Sequence, residues 1–161
     1  MDILDNDLIS FWKSLNQYDV KYIMIGGFAV NLHGFSRTTG DLDIWLKDEI
    51  SNRKNLGKAL AQFGYDELSF EGIDFVPGWT DFYIGSGVRL DIITEMAGLE
   101  NISFDEALEH ANIAQIYEVN VPFLHINQLI QNKKATSRPK DIIDVSELEK
   151  IIKIREQREK F

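Results

Sequence analysis

The chain has 161 residues and a mass of 18.5 kDa, close to the length of one ordinary domain. It contains no cysteine, which excludes disulfides, thiolate zinc sites, iron–sulfur clusters and cysteine nucleophiles. A net charge of −9 argues against broad non-specific binding to nucleic acid, which depends on Lys and Arg. The sequence shows no apolar run near the ~20 residues that span a bilayer and no basic signal-peptide region, so we expect a cytoplasmic protein without a membrane partner.

The charge is divided unevenly along the chain. Residues 133–161 hold nine Lys and Arg against six Asp and Glu, whereas residues 1–132 hold eight against twenty. A basic segment of this kind is either the solvated face of a terminal helix or a segment that folds back on an acidic site and its anionic ligand. The charges alone favour neither interpretation.

Hydrophobic spacing and turn residues predict the helices and strands. The helices are predicted over about 4–17, 28–34, 48–63, 103–110, 125–136 and 139–157. The strands are predicted at 21–25, 41–46, 79–85, 87–94, 115–119 and 121–126. The third and fourth strands are expected to form a hairpin around a Gly-Ser-Gly turn, and the last two strands to flank an Asn-Val-Pro turn.

Helix-start signals support several of these boundaries. Asp48 and Glu49 are expected in the first turn of their helix, where negative charge is favourable. Ser103 and Glu106 have the spacing of a capping box, and Pro139 suits the first position of the last helix.

Strands that alternate with helices and include antiparallel pairs predict an α+β fold. We expect a mixed β-sheet flanked by helices, with a C-terminal helical segment. Residues 1–161 are predicted to form a single domain, in which C-terminal helices (125–161) pack on an α/β core (1–124). The aromatic stretch 70–83 is predicted to be core rather than interface.

Acidic side chains recur on the polar faces of two predicted strands. Asp41 and Asp43 share one strand face, because side chains two residues apart point the same way. Asp91 has the same setting in VRLDII, so the three carboxylates converge if the two strands pair. Such oxygen clusters suit Mg²⁺, although an isolated acid–apolar–acid pattern more commonly marks a half-exposed strand.

A Gly-Gly pair separates the strand at 21–25 from the next helix. N–H groups at a helix N-terminus bind anions, and glycine lets a phosphate approach the backbone closely. A tight strand–helix turn is the commoner explanation for such a pair alone. Gly26 and Gly27, followed on the next strand by Asp41 and Asp43, predict a phosphate cradle beside a metal-binding pair.

The string GGFAVNLHGFSRTTGDLDIWL (26–46) resembles the signature of the nucleotidyltransferase superfamily related to DNA polymerase β. In full it is similar to the AbiEii/AbiGii-like branch of small bacterial nucleotidyltransferases. The resemblance implies that Asp41, Asp43 and Asp91 ligate catalytic Mg²⁺, or Mn²⁺ in its place, and that Asp91 helps to deprotonate the acceptor hydroxyl. It also implies that Gly26 and Gly27 contact the triphosphate.

Basic residues of the loop and tail complete the predicted nucleotide site. Arg37 is expected either to brace a phosphate or to pair with the carboxylates. The segment NKKATSRPKDIIDVSEL (132–148) is similar to the C-terminal motif of the same branch, which implies nucleotide contacts from the tail. The residues concerned are Lys133, Arg138, Lys140 and Asp141. Asp144 is expected to be a helix cap.

The resulting hypothesis is a Mg²⁺-dependent nucleotidyltransferase, which moves a nucleoside monophosphate from an NTP such as ATP or GTP to an acceptor hydroxyl and releases pyrophosphate. The alternative is a non-catalytic module that binds a nucleotide or a cognate partner protein, as one half of a toxin–antitoxin pair. A phosphohydrolase that uses the same metals is a third hypothesis. The sequence leaves the acceptor open among RNA, protein and small molecules such as aminoglycosides.

Overall fold

A computed structural model describes residues 6–76, 80–85 and 87–160 of the chain. The α-helices in these residues are α1 (Asn6–Gln17), α2 (Gly26–His33), α3 (Ile50–Ala61), α4 (Phe104–His110), α5 (Ile126–Thr136) and α6 (Pro139–Glu159). The strands are β1 (Tyr22–Ile25), β2 (Asp41–Leu46), β3 (Asp81–Ile84), β4 (Val88–Ile93), β5 (Asn112–Ile116) and β6 (Val119–Phe123). A short 3-10 helix lies at Glu67–Phe70.

The strands form a mixed sheet in the order β3-β4-β2-β1-β6-β5. β2 runs antiparallel to β1 and parallel to β4, and β6 runs parallel to β1. The parallel pairing of β2 with β4 needs a long connection, which α3 and the 3-10 helix supply. The prediction of a mixed sheet flanked by helices, with a C-terminal helical segment, is confirmed.

Alternation along the central strands separates the core from the polar face of the sheet. Leu42 and Ile44 on β2 are fully buried, as are Leu90 and Ile92 on β4. Burial of each such side chain stabilises the fold by about 1.5–3 kcal/mol. Because these residues face the core, the acidic residues between them must project from the opposite face.

The aromatic residues of the stretch 70–83 belong largely to the core, as predicted. Phe70, Phe75 and Phe82 are buried, and the rings of Phe70 and Phe82 have centroids 5.1 Å apart. Tyr83 is exposed, and Trp79 lies outside the described residues.

Several local predictions are confirmed. The Ser103 side chain accepts a hydrogen bond from the Glu106 backbone N–H, and Pro139 is the first residue of α6. β3 and β4 pair as a hairpin, although Ser86 of the predicted turn is not described, nor are the first two residues predicted for α1.

The predicted start of the third helix is wrong. α3 begins at Ile50, so Asp48 and Glu49 precede it instead of occupying its first turn. The Asp48 carboxylate accepts a 2.6 Å hydrogen bond from Arg53 Nε. This contact does not require Asp48 to be helical. A side-chain ion pair therefore accounts for this acid, rather than the helix dipole.

The predicted turn between the last two strands is also wrong. Tyr117 and Glu118 have positive φ angles of 45° and 69° and connect β5 to β6. Two-residue hairpin turns favour such angles because they match the twist of the strands. Pro122, which was expected in the turn, instead lies within β6 opposite Ile113.

The C-terminal helices contribute to the same core cluster as the sheet. Leu129, Ile130 and Leu148 are buried in that cluster. Arg155 Nη2 on α6 donates a 3.1 Å hydrogen bond to the carbonyl oxygen of His33 at the end of α2. The division into a core over 1–124 and a tail over 125–161 stays a prediction. Among the described helices, none has the length and apolarity to cross a bilayer.

Candidate active site

The parallel register of β2 and β4 brings the predicted catalytic acids together. Asp43 on β2 is the partner of Asp91 on β4, and Asp41 is the partner of Arg89. Asp81, on the neighbouring strand β3, stands opposite Asp91. The pairing of these two strands, on which the predicted convergence of the three carboxylates depends, is therefore confirmed.

Asp43 has a strongly perturbed electrostatic environment. Its pKa is raised to about 7, first by burial and then by the like charges of Asp91 and Asp41. Lys133 and Lys140 act on the pKa in the opposite direction. A buried carboxyl beside two others keeps its charge at neutral pH only if a nearby cation offsets the repulsion.

The Gly-Gly turn is packed directly against this carboxyl. Gly26 has a φ of +70°, and a Cβ added there would overlap Asp43 Oδ2. A Cβ added at Gly27 would lie 2.5 Å from Thr39 Oγ1 and 3.2 Å from Arg37 Nη1. A larger residue would therefore be strained by the backbone conformation at Gly26, and at either position it would force Asp43 or Thr39 to shift.

The same turn begins α2. Ile25 precedes the helix and offers no side-chain oxygen to cap it. The first N–H groups of an α-helix have no partner within the helix, and the positive end of the helix dipole lies there. The start of α2 can therefore accept an anion beside Asp43, as the Gly-Gly pair predicts.

Arg37 does not pair with the carboxylates of β2. Its Nε and Nη2 donate hydrogen bonds of 2.7 and 2.9 Å to the two carboxylate oxygens of Asp144 on α6. Lys133 Nζ lies 3.0 Å from Asp144 Oδ2 and 3.3 Å from Asp141 Oδ1. Arg138 Nε lies 2.8 Å from Asp141 Oδ2. These five residues form what we call the tail ion-pair chain.

Asp141, rather than Asp144, caps the last helix, so the prediction for Asp144 is wrong. Asp141 accepts hydrogen bonds from the Arg138 backbone N–H at 3.0 Å and from Thr136 Oγ1 at 2.8 Å. Burial would raise the pKa of Asp141, but hydrogen bonds from Arg138 and Thr136 and the charge of Lys133 hold it well below its usual range. Asp144 is fully buried one turn later in the helix, where it forms ion pairs with Arg37 and Lys133.

The other predicted basic residues occupy different environments. Lys133 is only 4% exposed, so its ammonium is enclosed by the tail ion-pair chain. Arg138 and Lys140 are exposed at the start of α6, and the charge of Lys140 acts on Asp43. Lys133 and Lys140 of the basic tail therefore act on the acidic site, whereas the side chains of 153–160 are exposed.

Arg89 was not among the predicted site residues. Its Nη1 lies 3.9 Å from Asp41 Oδ2, and its Nε lies 3.2 Å from Asp81 Oδ2. The alternation in VRLDII already places Arg89 on the face of Asp91, and pairing of that strand with 41–46 would have placed it beside Asp41.

The acids suit a divalent cation whose coordination shell is completed by the substrate. Within the described parts of the chain, no three acidic, histidine or cysteine side chains lie close enough to form a metal cage by themselves. Mg²⁺ is usually bound through one or two carboxylates, with water and substrate phosphates as its other ligands. The buried Asp43 carboxyl, crowded by Asp41 and Asp91, fits this mode of binding.

Comparison with known proteins identifies the fold. No family model matches the sequence, and no curated protein sequence matches it significantly. An antigenic nucleotidyltransferase-like protein from Paracoccidioides brasiliensis is 16% identical over 91% of this chain and 74% of its own, with a TM-score of 0.57. The lincomycin-bound lincosamide antibiotic adenylyltransferase LnuA is 16% identical over 91% and 97%, with a TM-score of 0.58. ANT(2'')-Ia in complex with adenylyl-2''-tobramycin is 16% identical over 93% of each chain, with a TM-score of 0.54. The chain therefore has a nucleotidyltransferase-like fold.

Proposed function

We propose that this chain is a Mg²⁺-dependent nucleotidyltransferase, which transfers a nucleoside monophosphate from an NTP to an acceptor hydroxyl and releases pyrophosphate. The observation that carries the proposal is the packing of the Gly26 turn on the Asp43 carboxyl, with Asp91 paired alongside. An anion-binding helix start thus lies against a group of acids that needs a cation. A nucleoside triphosphate with its divalent ion satisfies both requirements at once.

The residues of the site have distinct roles in this reaction. Asp41, Asp43 and Asp91 would supply one or two carboxylates to each Mg²⁺, with water and the phosphates as the other ligands, and the ion would offset the negative charge of the phosphates. The N–H groups at Gly26 and Gly27, at the start of α2, donate hydrogen bonds to phosphate oxygens and so hold the NTP against the acids. Such positioning and charge stabilisation account for most of the catalysis of phosphoryl transfer.

Residues of this chain are also available to accept the proton of the acceptor hydroxyl and to stabilise the leaving pyrophosphate. The acceptor oxygen forms a bond to the α-phosphorus as the bond to the bridging oxygen of the pyrophosphate breaks. The proton of the acceptor hydroxyl passes to an Asp91 carboxylate oxygen. The departing pyrophosphate carries negative charge, which Arg37, Lys133, Arg138 and Lys140 offset from the tail side of the site.

The finer assignment is to the AbiEii/AbiGii-like branch, supported by the strings at 26–46 and 132–148. That branch favours RNA or protein as the acceptor. LnuA, bound to lincomycin, and ANT(2'')-Ia, bound to adenylyl-2''-tobramycin, share the fold and add small molecules to the acceptors worth testing.

Calorimetric titration with ATP and GTP, each with Mg²⁺ and with EDTA, tests the proposed site. We expect NTP to bind the wild type in the presence of Mg²⁺, and Asp43→Asn to bind it at least about tenfold more weakly, a loss of ~1.4 kcal/mol. Asp105→Asn is the matched control, because Asp105 is an exposed acid on α4 that pairs only with Lys47 among the ion pairs described. Equal, metal-independent binding by wild type and Asp43→Asn would contradict the proposal.

The second candidate function is a nucleotide- or partner-binding module of a toxin–antitoxin type. Its support is that the Gly26 turn and the neighbouring acids could bind a nucleotide with its metal without transferring any part of it. Such a module would bind NTP and return it unchanged. Incubation with labelled NTP, Mg²⁺ and bulk tRNA or lysate separates the two, because label transfer that disappears in Asp43→Asn excludes the module.

A further inference from the structure

The guanidinium group of Arg37 is held on several sides. Nε and Nη2 donate to the two oxygens of Asp144, and Nη1 donates to the carbonyl oxygen of Thr38 at 3.1 Å. A two-point contact between guanidinium and carboxylate fixes the plane of the group as well as its position. Arg37 therefore has one defined orientation, although its side chain is still 21% exposed.

This orientation places Arg37 beside the start of α2. Nη1 lies 3.2 Å from the position that a Cβ of Gly27 would occupy. An anion received at the Gly-Gly turn would thus meet the N–H groups of α2 and the edge of the guanidinium together. Arg37 contributes to the site because of where it is held, and Asp144 holds it.

Asp144 serves a second cation in the same way. It is fully buried, and its Oδ2 lies 3.0 Å from Lys133 Nζ on α5. A buried carboxylate shared by two cations lets them lie near each other with less mutual repulsion. The whole tail ion-pair chain, which includes Asp141 and Arg138, has three cations and two anions and so keeps one net positive charge. Asp144 is 107 residues from Arg37 in the chain, so α6 delivers this contact from outside the α2–β2 segment.

We propose that Asp144 is a positioning residue for the nucleotide phosphates, acting through Arg37 and Lys133. This inference rests on the proposed function, because it concerns the same site. Asp144 does not touch the nucleotide. It holds two cations at the place where the phosphate chain is received, and its loss lets Arg37 turn toward solvent.

A double-mutant cycle on nucleotide affinity tests the inference. Asp144→Asn, Arg37→Ala and the double variant are titrated with NTP and with the matching NMP in the presence of Mg²⁺. We expect Asp144→Asn to weaken NTP binding by about tenfold to hundredfold, as loss of a charged hydrogen-bond pair does, and NMP binding much less. In the Arg37→Ala background the same change should weaken NTP binding clearly less than in the wild type.

Two further variants separate positioning from stability. Glu147→Gln removes a negative charge from the same helix at a residue that pairs with Lys150, and it should leave NTP affinity unchanged. Arg37→Lys keeps the positive charge but loses the two-point contact with Asp144. Because Asp144 stays paired with Lys133 in this variant, it provides the test if Asp144→Asn does not fold. It should reproduce the selective loss of NTP affinity.

The outcomes are distinct. A wild type that binds no NTP with Mg²⁺ contradicts the proposed function itself. A wild type that binds NTP, with Asp144→Asn or Arg37→Lys binding it equally well, contradicts only the role of Asp144. Tighter NTP binding by Asp144→Asn would also overturn the inference, because it would show that Asp144 withholds Arg37 from the phosphates. Equal losses for NTP and NMP would indicate a purely structural role and overturn it too.

Discussion

The Asp43 carboxyl is buried against the Gly26 turn and beside two other acids, and this makes its charge costly in the folded protein. Its pKa is about 7 in the fold, whereas an aspartate in an unfolded chain titrates near ~3.9. Between these two pH values the folded chain keeps a proton that the unfolded chain has lost. The stability associated with protonated Asp43 is therefore fully present below about pH 4 and is lost as the pH rises to about 7.

Asp43→Asn should therefore stabilise the protein at pH 8 in the absence of divalent ions. Each unit of pKa difference corresponds to about 1.4 kcal/mol, and about 1 kcal/mol moves Tm by about 2–4 °C in a chain of this size. We expect Tm to rise by several degrees at pH 8 and by almost nothing near pH 4, measured by thermal unfolding followed by circular dichroism. An unchanged Tm at pH 8, or a gain that Asp105→Asn reproduces, would refute the burial argument.

Gly26 is the other residue whose environment is specific. Gly26→Ala places a Cβ on Asp43 Oδ2 at a φ of +70°, so both strain and overlap oppose it. We expect a loss of about 1–3 kcal/mol in the free energy of unfolding, together with loss of NTP binding. Gly72→Ala is the control, because a Cβ there has no neighbour within 4 Å and its φ is not positive. Equal behaviour of the two variants in urea unfolding would show that Gly26 is an ordinary turn residue.

At the scale of elements, the start of α6 depends on one side chain. Asp141 caps the helix and joins Thr136, Arg138 and Lys133, with no exposed surface of its own. Asp141→Ala removes the cap and leaves Lys133 with one anionic partner fewer, so we expect a loss of about 2–4 kcal/mol. Urea unfolding measures this loss, and Glu147→Gln, at a half-exposed residue of α6 that pairs with Lys150, should change stability by less than about 0.5 kcal/mol. A loss as small as that of the control would contradict the capping role.

Local sequence signals predicted most elements, because periodicity and caps act over a few residues. Leu42 and Ile44 alternate with Asp41 and Asp43, and β2 has the predicted bounds of 41–46. The errors occurred where a local signal has two solutions. Asp48 was read as a helix-start acid but pairs with Arg53.

At the scale of the whole molecule, the unpredicted features are contacts between distant segments. The Gly-Gly turn and the acid pair are close in sequence, so their proximity follows from a single strand–helix–strand unit. The pairing of Arg37 with Asp144 joins the loop after α2 to α6, a contact that no local pattern specifies. For this reason the sequence did not identify Asp144 as the partner of Arg37 and assigned Asp144 to a cap, whereas the predicted contact of Arg37 with a phosphate stays a prediction.

The division of charge along the chain now has a structural explanation. The acids of β2 and β4 lie on one sheet face, and Lys133 and Lys140 oppose the charge of Asp43 from the tail. The tail thus supplies positive charge beside the acids. A triphosphate would be attracted by the positive charge, and its divalent ion by the acids. An RNA acceptor is compatible with this local arrangement despite the net charge of −9.

The most direct test of the central claim is the fate of two labels in parallel reactions. The protein is incubated with Mg²⁺, an acceptor source such as cell lysate, and NTP labelled at either the α- or the γ-phosphate. The account predicts that α-label becomes attached to an acceptor while γ-label is released as pyrophosphate, and that Asp43→Asn abolishes both. Release of γ-label as inorganic phosphate without acceptor labelling, or recovery of both labels in unchanged NTP, would contradict it.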